Sequence, residues 1–221
     1  MSDEETSELE SSELGTKDYW NETYSVEKKN YKEYGDVGEV WFGEDSALRV
    51  VRWLCSSDLV KSDDSIIDLG CGNGMLLIEL AREGFSNLTG VDYSQDAIDL
   101  ASSIAKAQNL TIEYEECDIL NTESSSVLSR QYAIALDKGT YDAISLHPED
   151  TKIKRETYIS NVWKLLRSRG LLVITSCNWT EKELVSHFDN NFSLLSVIPT
   201  PTFQFGGKTG NLISSLVMQK K

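Results

Sequence analysis

The stretch Ile66-Ile67-Asp68-Leu69-Gly70-Cys71-Gly72-Asn73-Gly74 decides the fold. A short apolar run of strand character enters a turn of alternating glycines. The residues after the turn, from Gly74 to Glu83, carry a helical pattern. Glycines at such a turn let the backbone reverse sharply and approach a ligand closely, and the helix that follows offers free N–H groups at its start. The spacing is D-x-G-x-G-x-G. A dinucleotide fingerprint, G-x-G-x-x-G, would need glycine at position 75, where Met75 stands. The plainer alternative is a tight strand-to-helix turn with no ligand; three glycines behind a leading acid favour binding.

Outward from this stretch, short apolar runs alternate with helical patterns, the rhythm of βαβ units on a parallel sheet. Strands are expected at 65–69, 88–92, 111–116, 132–136 and 171–176, and helices near 74–83, 95–108, 155–167 and 181–188, with Ser94 and Thr180 as N-caps. Upstream, Ala47, Val50, Val51 and Leu54 recur at i, i+3, i+4 and i+7, the stripe of an amphipathic helix over 44–56. At the other end, 193–198 and 212–219 read as two strands with no helix between them and are expected to pair as an antiparallel hairpin. The expected class is α/β: a Rossmann-like, mostly parallel sheet closed by that hairpin.

Two further acids close strands. Asp92, followed by Tyr93, ends the second strand eighteen residues beyond Gly74, where a carboxylate can accept both hydroxyls of a ribose. Asp118 closes the third strand, with Ile119 beside it, placed to meet the amino group and the face of an adenine. An ordinary helix cap is the alternative for Asp118.

Together these strand ends, Asp68 with Gly70, Gly72 and Gly74, then Asp92, then Asp118-Ile119, resemble the class I methyltransferases over roughly residues 60–221. The resemblance implies a seven-stranded sheet whose last strand runs antiparallel between the fifth and sixth. It implies S-adenosyl-L-methionine at the C-terminal edge of the sheet. A narrower likeness lies in Asp137-Lys138-Gly139-Thr140-Tyr141-Asp142-Ala143, in 34–43 around Trp41-Phe42, in 203–211 and in 176–180. These segments are similar to protein-lysine methyltransferases that modify translation elongation factor 1-alpha. On that likeness Asp137 is the candidate catalytic group, positioning the amine or the methionine end of the cofactor through its carboxylate or its backbone carbonyl, with a plain loop acid as its alternative. Trp41 and Phe42 are either a lid over the cofactor or anchors of the N-terminal segment. Phe203 and Phe205 are either the wall of a lysine channel or core. The N-P-P-aromatic turn of many enzymes acting on planar amino groups is absent. A small-molecule or other protein methyltransferase and a non-catalytic cofactor-binding adaptor stand as alternatives.

Composition bounds the partners. Thirty-six Asp and Glu against twenty-one Lys and Arg leave a net charge of −15, which disfavours phosphate backbones and favours docking on a basic protein surface. Direct nucleic-acid binding is not expected. No run of about eighteen apolar residues exists to span a membrane, and Met1–Glu13 lacks the basic and apolar regions of a targeting peptide, so a cytoplasmic place is expected. The four cysteines lie far apart without a C-x-x-C pair, so no metal site is expected. His147 and His187 have no partners at ligand spacing and are read as loop or surface residues. Residues 1–15 read as an acidic disordered tail and 16–221 as the methyltransferase domain, with a lid and helix over 16–60 and the Rossmann-like core over 61–221.

Overall fold

The computed structural model describes residues 8–122, 125–205 and 208–221, and for 203–205 and 208–209 the backbone alone. Strands β1 (Ile66–Leu69), β2 (Leu88–Asp92), β3 (Glu113–Glu116), β4 (Tyr132–Lys138), β5 (Leu166–Ser176), β6 (Phe192–Val197) and β9 (Ser214–Lys220) form one seven-stranded sheet in the order β3-β2-β1-β4-β5-β9-β6. The strands β1 to β5 pair in parallel, and β9 runs antiparallel to both β5 and β6. The sheet and its closing hairpin agree with the fold expected from the sequence. A small two-stranded ladder, β7 (Thr202–Phe205) with β8 (Lys208–Asn211), sits in the connection between β6 and β9.

The strand order reverses between β1 and β4, and in open α/β sheets ligands sit at that crevice, outside the strand C-termini. Helices α2 (Glu44–Ser56), α3 (Met75–Arg82), α4 (Gln95–Ala107), α5 (Thr140–Ser145), α6 (Thr151–Leu165) and α7 (Glu181–Phe188) flank the sheet. The stripe Ala47, Val50, Val51 and Leu54 is buried, joined by Leu76, Leu77 and Leu80 of α3 over one face of the sheet. The opposite core gathers Tyr158, Val162, Leu184 and Phe188 from α6 and α7. At α7 the expected cap is present: Thr180 and Glu183 exchange hydrogen bonds with each other's backbone N–H. Ser94 stands at the N-cap of α4 without a side-chain bond to the helix. The helix expected over 155–167 begins four residues earlier, at Thr151, and ends at Leu165, where the chain enters β5 directly.

Two elements depart further from expectation. Residues Lys17–Tyr34 form an eighteen-residue helix, α1, begun by Thr16 capping the N–H of Tyr19 and ended by Gly35 in a left-handed conformation. The segment before it is ordered from residue 8 onward, contrary to a disordered tail running to residue 15; residues 1–7 lie outside the described residues. Glu8 pairs with Arg155, the Ser12 N–H donates to the Leu146 carbonyl at 3.1 Å, and Glu13–Gly15 make a 3-10 turn. Among the described residues no helix is long and apolar enough to cross a membrane.

Candidate functional site

A cavity of about 420 Å³ opens at the C-terminal ends of β1 to β5. That is the size class of small-ligand sites. The sheet edge contributes Gly70, Gly72, Asp92, Tyr93, Asp118 and Ile119 to its wall. Six of the residues singled out in the sequence therefore meet at one place. Trp41 joins them from the loop between α1 and α2.

The glycine turn is fastened from below. The Gly70 and Cys71 N–H groups both donate to the Val91 carbonyl, at 2.8 and 2.9 Å. Gly72 has φ of 55° and donates its N–H to Asp92 Oδ2 at 3.1 Å, while Oδ1 of the same carboxylate accepts the Ser94 N–H at 2.9 Å. Each Asp92 oxygen thus keeps an acceptor site, since a carboxylate offers about four. A β-carbon on Gly70 would stand 2.1 Å from Thr140 Oγ1, and one on Gly72 2.4 Å from the Tyr24 hydroxyl. Asp118 Oδ1 accepts the Leu120 N–H at 2.9 Å, and Asn161 holds the Ile119 carbonyl at 2.8 Å.

Three expected site residues lie elsewhere. Gly74 does not line the cavity; its missing β-carbon makes room for the Tyr114 hydroxyl and Ala101. Asp68 is buried beneath the turn, outside the cavity wall, and burial pushes its carboxyl up to about 7, with Lys138 opposing and Asp92 adding to the rise. Asp137 requires the larger correction. Its carboxylate is turned away from the cavity and accepts the N–H groups of Thr140 and Tyr141, both at 3.0 Å, and the hydroxyl of Tyr158. Its side chain orders the entry to α5 from inside the core, which leaves the backbone carbonyl as the expected route to a ligand. Burial raises its carboxyl to about 7 even against the Tyr158 hydrogen bond.

The acid of the same run that does reach the cavity is Asp142, which sequence reasoning passed over. It accepts the Ser176 hydroxyl at 2.6 Å and the Cys177 N–H at 3.1 Å, joining α5 to the end of β5. Burial lifts its carboxyl to about 6. Asp92 rises to about 6 for the same reason, moderated by the Ser94 and Gly72 N–H groups and by Lys17.

Helix α1 within the expected 16–60 lid was the other omission. Leu14, Lys17, Trp20 and Tyr24 all line the cavity from the N-terminal segment. Trp20 stacks on Tyr24 with centroids 6.0 Å apart, meets Trp41 edge-on at 4.7 Å, and donates its indole N–H to the Leu14 carbonyl at 2.7 Å. Asn73 of the glycine turn donates to the Val37 and Glu39 carbonyls at 3.0 and 3.1 Å, so turn and lid are tied directly. Trp41 packs on Trp20 of the N-terminal segment, and both Trp41 and Phe42 line the cavity. A sequence signal existed in Thr16 as a cap, Gly35 as a stop and Trp20, Tyr24 and Tyr31 on one helical face. His147 lies at the cavity wall, whereas His187 bonds the Tyr141 hydroxyl at 3.0 Å away from it. The side chains of Phe203 and Phe205 lie outside the described residues.

The raised carboxyls carry a pH consequence. An Asp of ordinary pKa near 3.9 when unfolded, held at about 6 to 7 when folded, binds more protons in the native state between those values. The stability so gained is complete below about pH 4 and is lost as pH rises through 6 to 7. Thermal unfolding of the free protein should therefore give a higher Tm at pH 5.5 than at pH 8, with a shallower slope in Asp68→Asn. A Tm that rises from pH 5.5 to 8 would contradict these environments.

Comparison with known proteins bears on the site. A family model described as a methyltransferase domain matches residues 60–217. EEF1A lysine methyltransferase 2 of Homo sapiens is 46% identical over 210 residues, covering 95% of this chain and 87% of that protein. Protein-lysine N-methyltransferase efm4 of Schizosaccharomyces pombe is 39% identical, covering 96% of this chain and 95% of the relative, and EFM4 of Saccharomyces cerevisiae is 36% identical over 98% of each. Among solved structures, the N-methyltransferase NodS from Bradyrhizobium japonicum, in complex with S-adenosyl-L-homocysteine, superimposes with a TM-score of 0.65 at 17% identity, covering 91% of this chain and 98% of its own. Magnesium protoporphyrin IX methyltransferase from Synechocystis, with bound S-adenosylmethionine, gives a TM-score of 0.61 at 18% identity over 90% and 97%.

Proposed function

Because the chain belongs to the methyltransferase family that includes human EEF1A lysine methyltransferase 2 and the yeast EFM4 proteins, we propose that it transfers methyl groups from S-adenosyl-L-methionine to a lysine of translation elongation factor 1-alpha. The observation that carries this reading is identity of 36 to 46% over nearly the whole chain, lid included. The cavity fits the cofactor. Asp92 has acceptor sites for ribose hydroxyls, Asp118 and Ile119 stand one strand further on for the adenine, and Gly70 and Gly72 line the cavity beside them for the methionine end.

Bound there, S-adenosylmethionine supplies an electrophilic methyl group, and the protein's part is orientation and the exclusion of water. Trp20, Tyr24 and Trp41 close one side of the cavity with aromatic surface. Burial in such a site lowers a lysine pKa and favours the neutral amine that can attack. Of the two acids in the run from Asp137 to Asp142, Asp142 in α5 borders the cavity, its carboxylate tied to Ser176 and Cys177. We place the protein in the cytoplasm and without a direct nucleic-acid partner.

A net charge of −15 suits approach to a basic protein surface, which speeds association in a salt-dependent way. Incubation with labelled cofactor should methylate intact elongation factor 1-alpha more at low salt than at high. Its denatured form and short lysine peptides should be poor substrates, because they lack the surface that aligns the amine. Strong labelling of peptides with none of the intact factor would defeat the substrate assignment.

A further inference from the structure

We propose that Lys154 is a specificity-determining residue, pairing with an Asp or Glu that lies beside the methylated lysine on the substrate's surface. The inference rests on the methyl-transfer reading above and adds what the substrate must carry. On that reading Asp92 and Asp118 take the nucleoside over β2 and β3, which leaves the part of the cavity beyond β4 for the incoming lysine. That part is bordered by Cys177 and Asn178 after β5, and by His147 and Lys154 where α5 passes into α6. The Lys154 ammonium lies 2.8 Å from His147 Nδ1 and 3.0 Å from Nε2, and donates to the Glu149 carbonyl at 3.2 Å. No carboxylate pairs with it among the described residues, although Asp and Glu outnumber Lys and Arg by 36 to 21 in the chain. Two acids of the same region are committed elsewhere: Asp142 to Ser176 and Cys177, and Glu8 to Arg155, the neighbour of Lys154 on α6.

Local stability does not account for a cation at this place. Lys154 is the fourth residue of α6, whose first turn holds no acid, and a helix start favours acids over cations. A cation at the mouth also repels the ammonium of an approaching lysine. A carboxylate carried next to that lysine turns the repulsion into a contact, and so selects one lysine among many on a basic surface. The other lysines of the cavity wall stand away from this border. Lys17 lies over the Tyr93 ring at 5.2 Å, and Lys138 donates to the Trp41 carbonyl at 3.1 Å. Lys154 is therefore the cation that a substrate segment entering past Asn178 and His147 meets.

The test is a charge swap read by steady-state kinetics on intact elongation factor 1-alpha. Lys154→Glu should lower kcat/KM roughly tenfold, mostly through KM, while the affinity for S-adenosylhomocysteine measured by calorimetry stays within about twofold. Lys154→Arg, which keeps the charge, should retain most of the activity. Mass spectrometry locates the methylated lysine, and the acids beside it are changed to Lys one at a time. One of these factors should be a poor substrate for the unaltered enzyme and recover roughly threefold or more with Lys154→Glu. Should Lys154→Glu fail to fold, Lys154→Gln serves, and it should no longer distinguish that factor from the unaltered one. Unchanged kcat/KM in the reversed variant, an equal response of all the factors to it, or a methylated lysine with no acid beside it each overturns the proposal. Absence of methyl transfer to the intact factor by the unaltered enzyme sinks the substrate reading itself, and this inference with it.

Discussion

Gly72→Val should abolish measurable cofactor binding and loosen helix α1 at the same time. Gly72 sits at a φ of 55°, in the left-handed region that a β-branched residue enters only with strain of about 1 to 2 kcal/mol. Its β-carbon would also stand 2.4 Å from the Tyr24 hydroxyl, so Tyr24 must leave its place over the turn. The loss would spread, because Tyr24 is the buried residue of α1 and stacks with Trp20 in the cavity wall. Calorimetry with S-adenosylhomocysteine should show no binding, and limited proteolysis should cut earlier within residues 17–34. Affinity within tenfold of the unaltered protein would mean that the turn is only a turn.

Asp92→Ala should weaken S-adenosylmethionine binding by about 1.5 to 3 kcal/mol, the range for hydrogen bonds to a charged group. That corresponds to roughly a ten- to hundredfold rise in Kd. The structure adds a second consequence, because the same carboxylate fastens Gly72 and the start of α4 through its two backbone bonds. Removing it leaves the Gly72 and Ser94 N–H groups without partners, so a drop in Tm should accompany the loss of affinity. Unchanged affinity in a folded variant would remove Asp92 from the site.

The succession of β1 to β5 along the chain and the strand-end positions of the glycine turn, Asp92 and Asp118-Ile119 are legible in the sequence because each depends on local pattern. A strand end is set by the few residues around it, and a parallel α/β sheet brings its strand ends to one edge. The direction of a side chain is not local. Asp137 and Asp142 both belong to the run D-K-G-T-Y-D, yet one bonds Tyr158 in the core and the other bonds the end of β5 at the cavity's border. Only the closure of α5 against β4 and β5 separates them.

Helix α1 of the lid is hidden for a different reason. Helix α1 buries aromatic and polar surface, with Tyr24 its one buried residue, so it lacks the aliphatic stripe that reveals α2. Likewise the acidic composition of the first residues suggests disorder, but Glu8 has a specific partner in Arg155 and the Ser12 backbone has one in Leu146. Tertiary contacts of that kind override a compositional argument.

The most direct test of the central claim is transfer of labelled methyl groups from S-adenosylmethionine into a cell extract, with protein, RNA and small-molecule fractions counted separately. The label should enter protein, be recovered as methyl-lysine from elongation factor 1-alpha, and fall sharply with Asp92→Ala. Label in the RNA or small-molecule fraction, with none in methyl-lysine, would contradict the account.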